Sequence, residues 1–445
     1  MPIKKESFST KHRILSTIAC CAALTIVGWL SATLLLLAVY TIPTETMHDA
    51  LVSSNEWIQQ HKNDPERDST GSERLNLFTD AAMVGMAAIP IHETPLKAAL
   101  RNACPKKNKN TWGPVSALNK LAKGKNYAVG EYPRYWNGYL IWLKPMLALG
   151  IGVGTIYIIK AIYQLALLIA VFALLYRAKR AYLIPALVML LVSIRFWVIP
   201  FAMQYSSVME IALVATLVML IVERRTKNPA RKAQFVSVLF FATGLLTSFF
   251  DLLTYPVITL GLPLLVSFGC RESLSSIQVG KSTLARLFLT FIVPCLAWAL
   301  GYLAMWAGKW LIASIVLQQN VFADAFGAFS TRSSTTASNR LVALWAVMKR
   351  VAPHYFAERW LVLVMAVIFV AYLARLAWLV KRGRASWKDA VRLAIPYILI
   401  AFIPLIWFAA TPNHSIVHHF MTYRTLSLAI CAVLFALATP GKLEE

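Results

Sequence analysis

Thr247-Ser-Phe-Phe-Asp251-Leu-Leu-Thr-Tyr-Pro256 lies between two apolar runs, 235–251 and 254–269, each close to the length that crosses a bilayer. A carboxylate at such depth costs about 2.5–3.5 kcal/mol on insertion scales unless it is paired, hydrated or functional. Working outward, the pattern repeats. Polar islands close other apolar runs at Arg134-Tyr135-Trp136-Asn137-Gly138, Gln204-Tyr-Ser-Ser207, Lys309-Trp310 and Asn413-His-Ser-Ile-Val-His-His419. A span needs about 20 mainly apolar residues. The runs that approach this are 14–42, 146–176, 181–202, 207–222, 235–251, 254–269, 287–307, 359–380, 393–410 and 424–439. The expected fold is therefore all-α, a polytopic membrane protein of about ten transmembrane helices.

Composition agrees. Of 445 residues, 58% are hydrophobic and 14% charged, against about 25% charged in soluble domains. The formal net charge of +24 does not imply nucleic acid, because the cations cluster between apolar runs and no nucleic-acid-binding motif accompanies them. Membrane lipid is the expected partner of that charge. The six cysteines are scattered without metal-ligand spacing, and a disulfide framework is not expected.

Orientation follows from the basic clusters Arg177/Lys179/Arg180, Arg224/Arg225/Lys227/Arg231/Lys232, Arg271/Lys281/Arg286 and Lys381/Arg382/Arg384/Lys388/Arg392. With a cytoplasmic basic tail (1–13) and a retained signal-anchor helix (14–42), each cluster falls on the cytoplasmic side. All the polar islands then open on the other side. A long extracytoplasmic loop (43–140) follows, with a flexible Asp64–Ser72 stretch and a possible amphipathic helix from Arg74 to Ala88. Transmembrane helices two to seven occupy 141–307, with Pro256 and Pro263 allowing a re-entrant hairpin in place of the fifth and sixth. A second extracytoplasmic loop (308–358), helices eight to ten (359–439) and a cytoplasmic tail (440–445) complete the scheme.

Several residues carry two readings each. Asp80 is either a general base held at the membrane face or, with Thr79, the N-cap of a helix. Asp251 is either functional, or caps the next helix, or pairs with Arg195. Tyr135 and Trp136 suit interfacial anchoring, while Arg134 beside aromatic rings suits phosphate or carboxylate recognition, as does Arg195. His414 and His418, at i and i+4, have metal-ligand spacing but no neighbouring carboxylate or HExxH motif. Gripping a phosphate beside Arg424 is the stronger reading. Val279-Gly280-Lys281-Ser282-Thr283 has the tail of a nucleotide-binding loop, but Ser275 stands where glycine is required and no strand precedes it.

Six blocks together resemble a family of uncharacterised polytopic bacterial membrane proteins associated with cell-surface glycans. They are Asn76-x-Phe78-Thr79-Asp80, Tyr132-x-Arg134-Tyr135-Trp136-Asn137-Gly138-Tyr139, Gln204-Tyr-Ser-Ser-Val208 and Phe250-Asp251-Leu-Leu-Thr254-Tyr255-Pro256, with two more towards the end. Those two are Gly301-Tyr302-x-x-Met305-Trp306-x-x-Lys309-Trp310 and His414-Ser415-x-x-His418-x-Phe420-x-Tyr423-Arg424. Asn137 stands where the pattern leads one to expect histidine. The architecture in turn resembles the GT-C superfamily of glycosyltransferases, which have many membrane helices and an acidic residue in a large first external loop.

That resemblance implies a polyprenyl-phosphate-sugar donor and a cell-envelope glycan or lipid-linked acceptor, joined on the extracytoplasmic face of the bacterial plasma membrane. Both termini would be cytoplasmic. It implies a carboxylate base, Asp80 first and Asp251 second, supplying about 10²–10⁴ in rate. Arg134, Lys309, His414 and Arg424, with Arg195 in reserve, would offset charge on the leaving phosphate. Tyr135, Trp136, Gln204 and His418 complete the expected binding set. No cofactor is implied, and a divalent metal is left open. Two other classes compete: a transporter or flippase for lipid-linked glycan, and a non-catalytic partner in envelope glycan assembly.

Overall fold

The computed structural model describes residues 2–62, 70–106, 113–270 and 281–440. Most of the Asp64–Ser72 stretch, Arg271, most of the 440–445 tail and the first two residues of Val279–Thr283 fall outside that set. The described chain is almost wholly helical, its strands limited to one two-stranded ribbon.

The first helix, α1 (Pro2–Tyr40), stops three residues short of Pro43. The loop that follows is folded. It contains α2 (His48–His61), α3 (Leu77–Ala88), α4 (Pro95–Arg101) and α5 (Pro114–Ala122), with β1 (Cys104–Lys106) antiparallel to β2 (Ala128–Gly130). Their apolar residues, Met47, Ile58, Val84 and Leu118 among them, share one core with Leu36 of α1 and Leu245 further along. The cap is thereby seated on the membrane helices. The segment expected to form an amphipathic helix is instead buried along almost all of α3, because it threads the centre of this cap.

After α6 (Leu140–Ala148), the Gly150–Gly152 break lets α7 (Val153–Arg177) begin afresh. Next come α8 (Ile184–Ser193), α9 (Met203–Arg225), α10 (Pro229–Phe250) and α11 (Ile258–Cys270). Asn228 caps α10, its side-chain oxygen accepting from Ala230 and Arg231, and Pro229 takes the first helical position. Then α12 (Lys281–Leu317) runs ten residues past the expected end of its span at 307. The second loop holds α13 (Val321–Ser333), α14 (Arg340–Val351) and α15 (Pro353–Phe356). The last elements are α16 (Arg359–Lys381), α17 (Trp387–Ala410), α18 (Pro412–Val417), α19 (His419–Thr422) and α20 (Ser427–Ala438).

Among the described residues, eight helical runs are long and apolar enough to cross a membrane: α1, α7, α9, α10, α12, α16, α17 and the run His419–Ala438. Two of the ten expected spans, 181–202 and 254–269, become short helices. At 1.5 Å per residue, α8 and α11 reach only about 15 and 20 Å, against about 30 Å of hydrocarbon. Each ends or begins at irregular backbone. Arg195 takes a left-handed φ of 57° just after α8, and Leu253 a φ of 63° before α11. Non-helical backbone at membrane depth is tolerated where protein or a wet cavity satisfies it. Both segments reach the cap end of the bundle, where such a cavity lies.

One helix contact sets the bundle's spacing. A Cβ on Gly244 of α10 would stand 2.1 Å from the Trp298 carbonyl oxygen, and one on Gly301 of α12 2.1 Å from that of Phe241. Reciprocal glycines let these two helices touch backbone to backbone, the packing that membrane interiors favour.

Candidate functional site

A cavity of about 1160 Å³ opens at the cap end. It is lined by α3, the first turn of α9, the loop 132–139, α18 and α19, and by Arg332 of α13.

The loop 132–139 is pinned by its own sequence. Gly138 donates its backbone N–H to the Phe249 carbonyl at 3.0 Å, and a Cβ there would lie 2.6 Å from that oxygen. Asn137 has a φ of 54°. Asn and His are both enriched in that left-handed region, which gives a backbone reason for either residue at this position. Trp136 is buried, donating to the Met305 carbonyl at 2.7 Å. Tyr135, Asn137 and Arg134 face the cavity. The Arg134 guanidinium lies 4.3 Å from the Tyr132 ring centre and donates to Asp324 of α13 at 3.1 Å. Asn413 of α18 donates to the Thr331 carbonyl at 2.8 Å. These two contacts tie α13 to the loop 132–139 and to α18.

The two aspartates sit one layer behind the lining. Asp80 is fully buried; its neighbour Thr79 lines the cavity. Asn76 caps α3, accepting from Thr79 N–H, so neither Thr79 nor Asp80 takes that role. The Asp80 carboxylate instead accepts from Met203 N–H at 3.1 Å and from the Tyr157 hydroxyl. Met203 opens α9, so Asp80 caps that helix from another part of the chain, where the dipole favours negative charge. Burial nevertheless pushes its carboxyl up to about 7, against the opposing pull of these two hydrogen bonds. Asp251 follows α10 and has a comparable duty. It accepts from Thr254 N–H at 2.9 Å, from Thr254 Oγ1 at 2.8 Å and from the Tyr302 hydroxyl at 3.3 Å, closing the turn before α11. Burial raises its carboxyl too.

Three of the expected cations are equally occupied. Lys309 donates to the carbonyls of Leu100 at 2.9 Å and Ala99 at 3.4 Å, closing the end of α4. Arg424 donates to Ile194, Phe420 and Ser72 carbonyls, each at 3.0 Å, with Tyr205 stacked 4.4 Å away. Arg195 donates to the His354 carbonyl at 3.2 Å and approaches Glu73 at 3.8 Å. Each satisfies backbone carbonyls at an irregular segment.

Arg134, Tyr135, Gln204, His414 and His418 do line the cavity. His414 contacts the Leu253 carbonyl through Nε2 at 2.7 Å. A carbonyl can only accept, so Nε2 carries the proton and Nδ1 is the basic atom of the ring. Burial, with His418 close by, lowers His414 to about 4 and keeps the ring neutral at pH 7. Burial lowers His418 as well. No three His, Cys, Asp or Glu side chains converge on a metal-sized site among the described residues.

The cavity adds Arg74, Arg332 and Lys62, positive charges that sequence reasoning passed over, and Asn76 and Asn137 of the quoted blocks bring amides. Among the described lining residues, Glu73 carries the one carboxylate; it accepts from Trp197 Nε1 at 3.1 Å. Beside it, Trp197 and Phe201 belong both to the lining and to the exposed apolar surface, at 40% and 36% exposure. One side of the cavity lining is therefore apolar and partly exposed.

The sequence matches no known family, no curated protein and no solved structure.

Proposed function

We propose that this chain is a GT-C-like membrane glycosyltransferase. It moves a sugar from a polyprenyl-phosphate donor to a cell-envelope glycan or lipid-linked acceptor at the cap end of the bundle. The observation that carries this reading is the make-up of the cavity: cations and amides in the lining, with a partly exposed apolar side at Trp197 and Phe201. A head group joining phosphate to sugar, on a chain that stays in the bilayer, needs that combination.

In this reading Arg134, Arg332 and His418 hold the phosphate, and their preorganised charge and N–H groups stabilise it as it departs. Gln204, Asn76 and Asn137 offer paired donors and acceptors to sugar hydroxyls. The base must come within about 2.6–3.2 Å of the acceptor hydroxyl. Glu73 already lines the cavity, so it takes the proton. Asp80 supports a second arrangement, because a carboxyl raised to about 7 is matched to proton transfer near neutrality. It would reach substrate only if the first turn of α9 withdrew. The flippase reading expects polar groups along the spans. Lys160, Gln164 and Glu210 are such groups, but they bond to one another between α7 and α9.

The test is binding of undecaprenyl phosphate, the lipid common to such donors, to purified protein in nanodiscs. Saturable binding that Arg134→Gln/Arg332→Gln/His418→Gln abolishes is the expected result. Binding that is absent, or indifferent to these three changes, overturns the proposal.

A further inference from the structure

Residues 340–360 are all described, and their first element, α14, carries apolar side chains on two opposite faces. The row Ala343–Val347–Val351 is buried. Two residues out of phase, and so on the far side of the helix, runs the row Leu341–Trp345–Lys349. Leu341 is 77% and Trp345 62% exposed. Beside them Val342 and Arg350 are exposed as well. The inner face is used by the bundle, and the outer one is left open.

The contacts of the inner face fix the height of this segment. Val347 and Val351 share a core with Phe408, in the last turn of α17. The Tyr355 hydroxyl of α15 lies 2.9 Å from Ser427 Oγ, at the start of α20. Both partners belong to helical runs long enough to cross a membrane, and a third such run, α16, begins at Arg359. α14 and α15 therefore lie beside the cap-side ends of these runs, the level at which hydrocarbon gives way to head groups. Phe356 and Trp360 add further exposed aromatic surface there.

The charge of the same stretch is of one sign. Arg340, Lys349, Arg350 and Arg359 are exposed, against a single carboxylate, Glu358. Arg340 donates to the Ser333 carbonyl at 2.7 Å, and Lys349 lies 5.5 Å from the Trp345 ring centre. Neither contact cancels a charge. Open water would leave Leu341 and Trp345 hydrated, at a cost. Pairing with the same patch on a second copy would set four cations against four. A layer of anionic head groups meets both features, because aromatic and aliphatic side chains sink to the acyl boundary while flanking Lys and Arg reach phosphates.

We propose that α14 is an interfacial helix whose outer face binds the head-group layer of an anionic bilayer. Leu341, Val342 and Trp345 lie at the acyl boundary, and Arg340, Lys349 and Arg350 meet lipid phosphates. The core behind α14 also takes in Ile416 of α18 and Tyr423. The bound membrane thus braces the segment that brings His414 and His418 to the cap-end cavity. This inference is independent of the glycosyltransferase reading.

The experiment is photo-crosslinking of the full chain in nanodiscs of equimolar dioleoylphosphatidylglycerol and dioleoylphosphatidylcholine. The probe is p-benzoylphenylalanine in place of Trp345, with adducts read from the intact mass. Phospholipid adducts are expected, phosphatidylglycerol being favoured. The same probe at Thr336, exposed in the polar linker between α13 and α14, should give far fewer. Arg340→Gln/Lys349→Gln/Arg350→Gln changes exposed positions only. It should keep the lipid adducts and lower the preference for phosphatidylglycerol by about fivefold, the effect of one cation on one anionic lipid. Adducts to a second protein chain in place of lipid overturn the proposal. So do equal lipid labelling at 345 and 336, equal use of the two lipids by the unsubstituted cations, or a preference unchanged in the triple variant.

Discussion

The Asp80 carboxyl is fully buried, and its pKa is pushed from 3.8 up to about 7. Burial disfavours its ionised form in the folded state only. The stability tied to this group is therefore fully present below the unfolded value near 3.8 and is lost as pH rises through about 7. A shift of that size corresponds to about 4 kcal/mol at most, at about 1.4 kcal/mol per pH unit. Asp80→Asn is the informative change. An amide mimics the protonated acid, can still accept from Met203 N–H, and does not titrate. Below the unfolded value, at pH 3.5, the variant should be the less stable by up to about 1 kcal/mol, the worth of one imperfect hydrogen bond, and the two should cross between about pH 4 and 5. By pH 8 that order should be reversed. Thermal unfolding in detergent, followed by tryptophan fluorescence at pH 3.5, 5 and 8, reads the difference directly. Other groups titrate in this range, but they do so in both proteins and cancel. Parallel stability profiles for wild type and Asp80→Asn would refute the argument that burial governs this carboxyl.

Other expectations follow from single contacts. Lys160 and Glu210 pair at 2.9 Å between α7 and α9; Lys160→Met should cost about 3–5 kcal/mol by leaving Glu210 uncompensated. Lys160→Met/Glu210→Met should recover most of that loss in thermal unfolding. Gly244→Val forces a side chain into the Trp298 carbonyl, at about 1–3 kcal/mol or more for overpacking, seen as reduced yield of monodisperse protein. Asp324→Asn removes the ion pair that fastens α13 to Arg134. Limited proteolysis between α13 and α14 should then quicken with little change in melting temperature, since half-exposed pairs contribute about 1 kcal/mol or less.

Much of the bundle was legible because hydropathy reports composition directly. What it does not report is whether an apolar run crosses completely. Residues 254–269 are as apolar as a span, yet α11 begins only after Asp251, Leu253 and Tyr255-Pro256 have turned the chain. The polar islands were visible as islands, and Arg134, Gln204, His414 and His418 come from three of them to one cavity. Their roles were harder to read. A buried carboxylate looks the same in sequence whether it meets a substrate or a backbone N–H, and the partner of Asp80 lies 123 residues away at Met203. Lys309 and Arg424 mislead in the same way, serving carbonyls of α4 and of the irregular segments after α8. Glu73 was missed because a glutamate in a polar loop gives no signal until Trp197 is placed against it. Lys160 and Glu210 did carry a signal, being charges inside apolar runs, and their mutual pairing explains it.

The central claim is that the cap-end cavity transfers a lipid-linked sugar, with Glu73 taking the proton. The most direct measurement is the mass profile of envelope glycan from wild-type cells, a deletion strain, and the deletion carrying Glu73→Gln or Asp80→Asn. The account predicts a discrete sugar missing from the deletion and from Glu73→Gln, a loss of about 10²–10⁴ in rate, and present in Asp80→Asn. Normal glycan from Glu73→Gln would contradict it, and with the sugar absent from Asp80→Asn would pass the base role to Asp80.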